Sequence, residues 1–329
     1  MTIRDVAALA GVSTATVSRV FNDDPRVAGE LRERVVEAAG RLGYRPNGQA
    51  RSLRTQATKV LGLIISDIQN PFFTALVRGV EDAASQRDYS VVLANADEDV
   101  AKELRYLEVT AAERMAGVIL SPASTSHSQV NLLLDRGIPV VVIDRRIRSA
   151  EVDSVTVNNQ KAAREAVTHL VAAGARRIGM IAGPPDISTA ADRLAGYRAA
   201  IKAAGLPTDA DLVVRGDFRL DGGKAAARTL LAARPRPDAL FVANNLMMVG
   251  ALQTIADSGL SVPDDMLLAG FDEMSWAGFA PPLTLIEQPT YDIGRHAAEL
   301  LLRRISGEDF PIQRVVLPAT LTVRQSSSR

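Results

Sequence analysis

Seven short segments place aromatic, amide, carboxylate and guanidinium side chains directly after runs of apolar residues. SDIQNPFF brings Asn70, Phe72 and Phe73, IDRR brings Asp144, Arg145 and Arg146, and GPPDISTAADR brings Thr189 and Arg193. GDF, VAN, FD and EQ add Asp217 and Phe218, Asn244, Asp272 and Gln288. Aromatic faces stack on the C–H faces of a sugar ring, while amides, carboxylates and guanidinium groups pair its hydroxyls. The mixture suits a neutral, polyhydroxylated small molecule. Each residue also has a plainer role. Asn70 before Pro71 makes a good helix cap, and Asp144 can pair with Arg145 or Arg146 at the surface. Adjacent Phe72 and Phe73 point in different directions at a helix start, so one exposed ring is expected. The joint pattern, not any one residue, points to a ligand.

Other chemistries find little support. No GxGxxG opens a helix after a strand and no GxxxxGK[ST] occurs, so nucleotide phosphates lack a cradle. There is no G-x-S-x-G elbow. His127, His169 and His296 are far apart and lack metal-ligand spacing. We therefore expect no catalytic residue, no metal and no cofactor. A glycosidase needs two carboxylates at a set separation, and sequence leaves that geometry open, so a sugar-acting enzyme stands as the weaker reading.

The elements that must position these residues form a regular series from Lys59 onward. VLGLIIS, YSVVLANA, GVILSP and IPVVVID alternate with helix-length amphipathic segments, and RRIGMIAG, DLVVRGD, ALFVAN and LLAGFD repeat the scheme. Such alternation implies parallel sheets covered by helices on both faces, here in two similar lobes. The late strands LTLIEQ and RVVLPATLTVRQ cross back, making each lobe discontinuous. In open α/β sheets ligands collect beyond the carboxyl ends of the strands, which is where the polar and aromatic residues fall.

The first 58 residues read differently. Thr2 caps a helix with Asp5 in its first turn, Gly11 turns the chain, and Ser13 caps a second helix, TATVSRVF, with Val17, Val20 and Phe21 on one face. A third helix runs from about Glu30 to Leu42 and stops at Gly43. Helix, glycine-bearing turn, helix is the helix-turn-helix pattern. Thr14, Ala15, Thr16 and Arg19 lie off the apolar face. In such motifs these positions meet base edges in the major groove, where arginine pairs with guanine and small apolar groups touch the thymine methyl. An ordinary helix of a bundle reads equally well from periodicity alone. Arg26, in the following turn, suits a phosphate contact or a solvated charge. Residues 1–58 carry nine arginines against six acids, a net +3 within a chain of net zero charge, which hints at nucleic acid.

The wording of these stretches adds a resemblance. TIRDVAALAGVSTATVSRVFN, followed by LRERVVEAAGRLGYRPN and ARSLRT, resembles the lactose repressor–galactose repressor (LacI/GalR) family of bacterial transcription regulators over about 58 residues. The resemblance implies base contacts by Thr14, Ala15 and Arg19 and phosphate contacts by Ser13, Thr16 and Asn22. It implies a hinge helix whose candidate DNA-facing residues are Asn47, Ala50, Arg51, Leu53 and Arg54. Paired hinge helices would enter the minor groove, Leu53 wedging between base steps and Arg51 and Arg54 lying near phosphates. Ala28 and Leu31 stand where the family often has hydroxyls, so those phosphate contacts are expected to be missing, and Gly29 makes a poor helix start. The rest of the chain is similar to the periplasmic sugar-binding protein fold. NPFF, IDR, GDF, VAN, FD and EQP resemble the ligand-contacting segments of ribose-type binders. Ala191, in place of an arginine, argues against ribose itself, and Ile187, in place of a polar residue, against a purine.

The expected fold is thus a small all-α helix-turn-helix head plus an α/β body of two doubly wound parallel-sheet lobes of periplasmic-binding-protein type. Its parts are a head at 1–46, a hinge at 47–58, and an effector-binding and dimerisation body at 59–329. Lobe 1 takes about 59–157 plus 289–317, lobe 2 about 158–288 plus 318–329. The expected function is a DNA-binding regulator, a repressor of sugar or related carbon catabolism genes. Its partners would be pseudo-palindromic double-stranded operator DNA, a monosaccharide or similar polyol effector, and a second copy of the chain. The alternatives are a nucleoside or purine effector, a corepressor protein or, more remotely, a sugar-transport binding protein. The last would need an export signal and no basic head. The absence of cysteine, of a signal-like N-terminus and of a long apolar run fits a cytoplasmic protein without a membrane partner. TVRQSSSR carries no leucine heptad, so a coiled-coil tetramer is not expected.

Overall fold

The computed structural model describes residues 2–21, 24, 26–44, 58–273 and 281–328. They fall into two compact units, Met1–Thr58 and Lys59–Arg329, each with its own core.

The first unit holds helices α1 (Ile3–Ala10), α2 (Thr14–Val20) and α3 (Gly29–Leu42). The Thr2 amide donates to the Asp5 carboxylate at 2.7 Å, and the Ser13 hydroxyl accepts from the Thr16 amide at 3.1 Å, so both helix starts satisfy otherwise orphaned groups. Gly11 and Gly43 close α1 and α3 at φ 62° and 59°. Val6, Ala7, Ala10, Val17, Val20, Val35, Ala38 and Ala39 form a small core. Arg34 donates to the Ala10 carbonyl at 2.6 Å, placing a cation at the negative end of α1. The third helix begins at Gly29, with Ala28 in the cap position and no side-chain bond to its first turn. Residues 45–57, which include Asn47, Ala50, Arg51, Leu53 and Arg54 of the expected hinge, lie outside the described residues, as does Asn22.

The second unit contains two six-stranded sheets. Sheet 1 is built from β1 (Val60–Ile65), β2 (Ser90–Asn95), β3 (Gly117–Leu120), β4 (Val140–Ile143), β5 (Asp153–Val157) and β11 (Arg314–Leu317), in the order β11-β5-β4-β3-β1-β2. Sheet 2 comprises β6 (Ile178–Ala182), β7 (Val213–Arg215), β8 (Ala239–Val242), β9 (Leu267–Phe271), β10 (Thr284–Glu287) and β12 (Thr320–Thr322), in the order β12-β10-β9-β8-β6-β7. Every pairing is parallel except β10 with β12, an antiparallel edge. The chain passes between lobes three times, after β5, after β10 and after β11.

The strands are buried because their residues are apolar on both faces: Leu61, Leu63, Ile64 and Ile65 of β1 are at most 1% exposed. Helix α4 (Phe72–Ser85), at the end of β1, packs on α11 (Thr290–Ile305). Their crossing is close enough that a Cβ on Gly79 would lie 2.1 Å from the Tyr291 carbonyl oxygen. This seam fastens the late segment to lobe 1. Among the described residues no helix is long and apolar enough to cross a membrane.

Candidate functional site

The carboxyl ends of both sheets face one cavity between the lobes, with about 380 Å³ of empty space counting the part open to solvent. Asn70, Phe72, Phe73, Asp144 and Arg145 line it from lobe 1. Thr189, Arg193, Phe218, Asn244, Asp272 and Gln288 line it from lobe 2 and its last crossing. All eleven effector candidates therefore meet in one place. Asp217 is not among the lining residues; its carboxylate accepts from the Arg219 amide.

The side chains are held by specific partners. Arg145, 4% exposed, meets Glu98 through both terminal nitrogens at 2.7 and 2.6 Å and donates to the Pro122 carbonyl at 2.9 Å. Arg193, 3% exposed, donates to Asn159 at 2.8 Å and to the Ala243 carbonyl at 2.5 Å, stacks on Phe271 at 3.8 Å, and stands 3.9 Å from Asp272. Gln288 donates to Asp272 at 2.6 Å. Asn244 donates to the Phe218 carbonyl at 2.8 Å while capping helix α10 (Asn245–Asp257) by accepting from the Met247 amide.

Burial dominates the electrostatics. It pushes the Asp144 carboxyl up to about 6, against the pull of Arg145 and Arg193, with Asp272 and Glu98 adding to the rise. Burial likewise raises Asp272, opposed by Arg193 and Gln288. It opposes the Arg145 cation too, but Glu98, Asp144 and Glu103 together more than offset it and the net shift is upward. Arg193, with weaker compensation, shifts downward. Asp144, Glu98, Phe218, Asp272 and neighbouring Asp97 all adopt left-handed backbone, φ 58–72°, at a typical cost of about 1–3 kcal/mol each. Phe218 occupies its place because position 183 is glycine: a Cβ there would lie 2.2 Å from the ring.

The lobes also touch directly. Asn245 donates to Asn70 at 2.9 Å, Arg219 to Asp97 at 2.9 Å, and Arg146 forms two bonds to Asp192 at 2.5 and 2.9 Å. Asp186 accepts from the hydroxyls of Ser124 and Ser126. Asn70 thus does double duty, since the same oxygen accepts from the Phe72 amide at 3.0 Å. These direct contacts between the lobes are made by polar groups.

Three expectations change. Phe72 and Phe73 are both buried, at 6% and 3%, within the core of lobe 1; their rings meet edge to face at 5.1 Å. Asp144 does pair with Arg145, at 3.5 Å, but away from the surface, its side chain being 10% exposed, while Arg146 pairs with Asp192. Ala191 and Ile187 line a neighbouring crevice rather than this cavity, so their identities do not shape its wall. Asp67 and Glu98, which also line the cavity, escape the sequence reading. Glu98 follows β2, and scanning the end of that strand as well would have found it.

On the head, Thr14, Ala15 and Arg19 are exposed on α2, whereas the hydroxyls of Ser13 and Thr16 bond each other at 2.9 Å. Arg26 grips Asp24 at 2.8 and 3.0 Å, and that bond holds the Asp24 carboxyl well below its usual range. Among the described residues no group of three or more His, Asp or Glu is placed to hold a metal ion.

A helix-turn-helix unit and a two-lobed body closed around a polar cavity define a ligand-responsive DNA-binding regulator. Residues 2–47 match the profile for bacterial regulatory proteins of the lacI family, and residues 167–327 that of a periplasmic binding protein-like domain. The ribose operon repressor of Escherichia coli (strain K12) is 38% identical over 329 residues, covering 99% of each chain. The structure of the transcriptional regulator CelR in complex with cellobiose covers 99% of both chains at 37% identity and TM-score 0.75. The lac repressor dimer bound to operator and an anti-inducer covers 100% of this chain and 99% of its own, at 28% identity and TM-score 0.87. The chain belongs to the lacI family of bacterial regulatory proteins, and it is a DNA-binding transcriptional regulator.

Proposed function

We propose that this protein is a cytoplasmic repressor of sugar or related carbon catabolism genes that acts by binding rather than by catalysis. Two copies bind a pseudo-palindromic operator, one half-site per head. Thr14, Ala15 and Arg19 read bases, Ser13, Thr16, Asn22 and Arg26 meet the backbone, and the 47–54 segment with Leu53 enters the minor groove at the centre. A monosaccharide or similar polyol fills the cavity between the lobes. It contacts groups from both sides, so it binds the shut arrangement better than any open one, and that differential affinity is what a regulator transmits.

What supports this reading above all is the convergence of eleven strand-end side chains from both lobes on one cavity of about 380 Å³. Its mixture of three aromatic rings with acids, amides and guanidiniums fits one small polyol. The test is a gel shift with the full-length protein on the DNA upstream of its own gene, repeated with a panel of sugars, and calorimetry with the same panel. Sequence-specific binding altered by at least one sugar is expected. Its absence across the panel would refute the proposal. Leu53→Ala is expected to weaken operator binding while effector affinity stays nearly constant.

A further inference from the structure

Arginine that faces a ligand usually offers two parallel N–H groups, the fork that recognises carboxylate and phosphate. In this cavity the Arg145 fork is already taken. Both terminal nitrogens bind Glu98, at 2.7 and 2.6 Å, and one also reaches the Pro122 carbonyl. The donors left over are one N–H of Nη2 and Nε, which is buried without a hydrogen-bond partner and stands 3.5 Å from the Asp144 carboxylate. Glu98 is fixed where it is by left-handed backbone (φ 58°) and by its amide, which donates to the Ser66 carbonyl at 2.7 Å. Four carboxylates line the cavity, those of Asp67, Glu98, Asp144 and Asp272, against two guanidiniums. An anion entering would find one fork occupied and like charges close by, at low local dielectric where repulsion is strong. A hydroxyl would find the remaining Arg145 donors beside carboxylate acceptors.

We infer that Glu98 is a specificity-determining positioning residue, which by occupying the Arg145 fork restricts the effector to uncharged, unphosphorylated polyols. This rests on the reading that the cavity is the effector site and narrows its class. Glu98 acts through Arg145 and Asp144 and excludes the phosphorylated or oxidised counterpart of the same sugar. A regulator built this way responds to a sugar before kinase or oxidase chemistry has acted on it, and is blind to the product of that chemistry.

The test is calorimetry of the full-length protein with D-ribose, D-glucose and cellobiose, and with ribose 5-phosphate, glucose 6-phosphate and gluconate. At least one neutral sugar is expected to bind, its anionic counterpart at least tenfold more weakly. Glu98→Gln is expected to shrink that preference at least tenfold by strengthening anion binding, and Glu98→Asp to restore most of it. A purely structural ion pair would alter stability and overall affinity but not the neutral-to-anion ratio. Comparable affinity of the wild type for a sugar and its phosphate overturns the inference, even should the glutamine variant not fold. So does an unchanged ratio in folded Glu98→Gln. If no neutral sugar binds at all, the effector reading itself fails and this one falls with it.

Discussion

Each lobe buries one arginine against the cavity, and the two are neutralised in opposite ways. In lobe 1, Arg145 is locked end-on to Glu98 and keeps a strongly held cation. In lobe 2, Arg193 leans on an amide oxygen, a backbone carbonyl and an aromatic face, with its nearest carboxylate 3.9 Å away, and its cation is disfavoured. The difference teaches how one architecture used twice divides its labour. Lobe 1 presents a finished charge pair, which gives shape and excludes anions. Lobe 2 presents a charge still seeking an acceptor, which a ligand oxygen or Asp272 can supply.

The comparison can be broken in four ways. Arg145→Leu should cost the most, about 3–5 kcal/mol of stability, because it leaves Glu98 and Asp144 buried without their cation. Adding Glu98→Gln to the same chain should return much of that loss, and urea unfolding of both variants measures it. Arg193→Leu should cost less, about 1–3 kcal/mol, since its main partners are neutral, yet it should weaken effector binding about 100-fold, roughly 2.7 kcal/mol by calorimetry. Equal stability losses for the two arginines would abolish the distinction. The Asp144 carboxyl, held up near 6, supplies a third test. A sugar hydroxyl donates more strongly to the carboxylate than to the neutral acid, so binding favours the charged form and lowers that value. Affinity should therefore hold above pH 6 and fall below it by up to about tenfold per unit. Proton release on binding near pH 6, read from titrations in buffers of different ionisation enthalpy, checks the sign. The smallest effect belongs to Asp97→Asn at the Arg219 bridge. Both side chains there are nearly half exposed, so stability should move by under about 1 kcal/mol and effector affinity by about threefold or less.

Much of this was legible beforehand. Thr2, Gly11, Ser13 and Gly43 announce the head because caps and left-handed turns are local devices. The eleven cavity residues were reachable because a parallel sheet delivers whatever follows its strands to one edge. What stayed hidden depends on distant partners. Nothing near Glu98 says that it grips a residue 47 positions later, and the left-handed backbone at Asp144, Phe218 and Asp272 carries no glycine to betray it. Both phenylalanines are buried because the core of lobe 1 takes in both rings, which helix geometry within one segment cannot foretell. Ala191 and Ile187 show a related limit, since neighbours in sequence to a cavity residue can line the next crevice.

The threefold passage of the chain between lobes also has a consequence for how the protein is made. Lobe 1 opens with β1 but packs on α11 and pairs with β11, both of which come after most of lobe 2. Lobe 2 in turn takes its last strand and the buried Ser326 and Ser327 from the segment after β11. On the ribosome neither sheet can be finished before the other is nearly complete, whereas the head, made first, needs only its own three helices. Synthesis therefore delivers the DNA-reading unit before the sensor that governs it, and the two lobes must mature together in one late, long-range step.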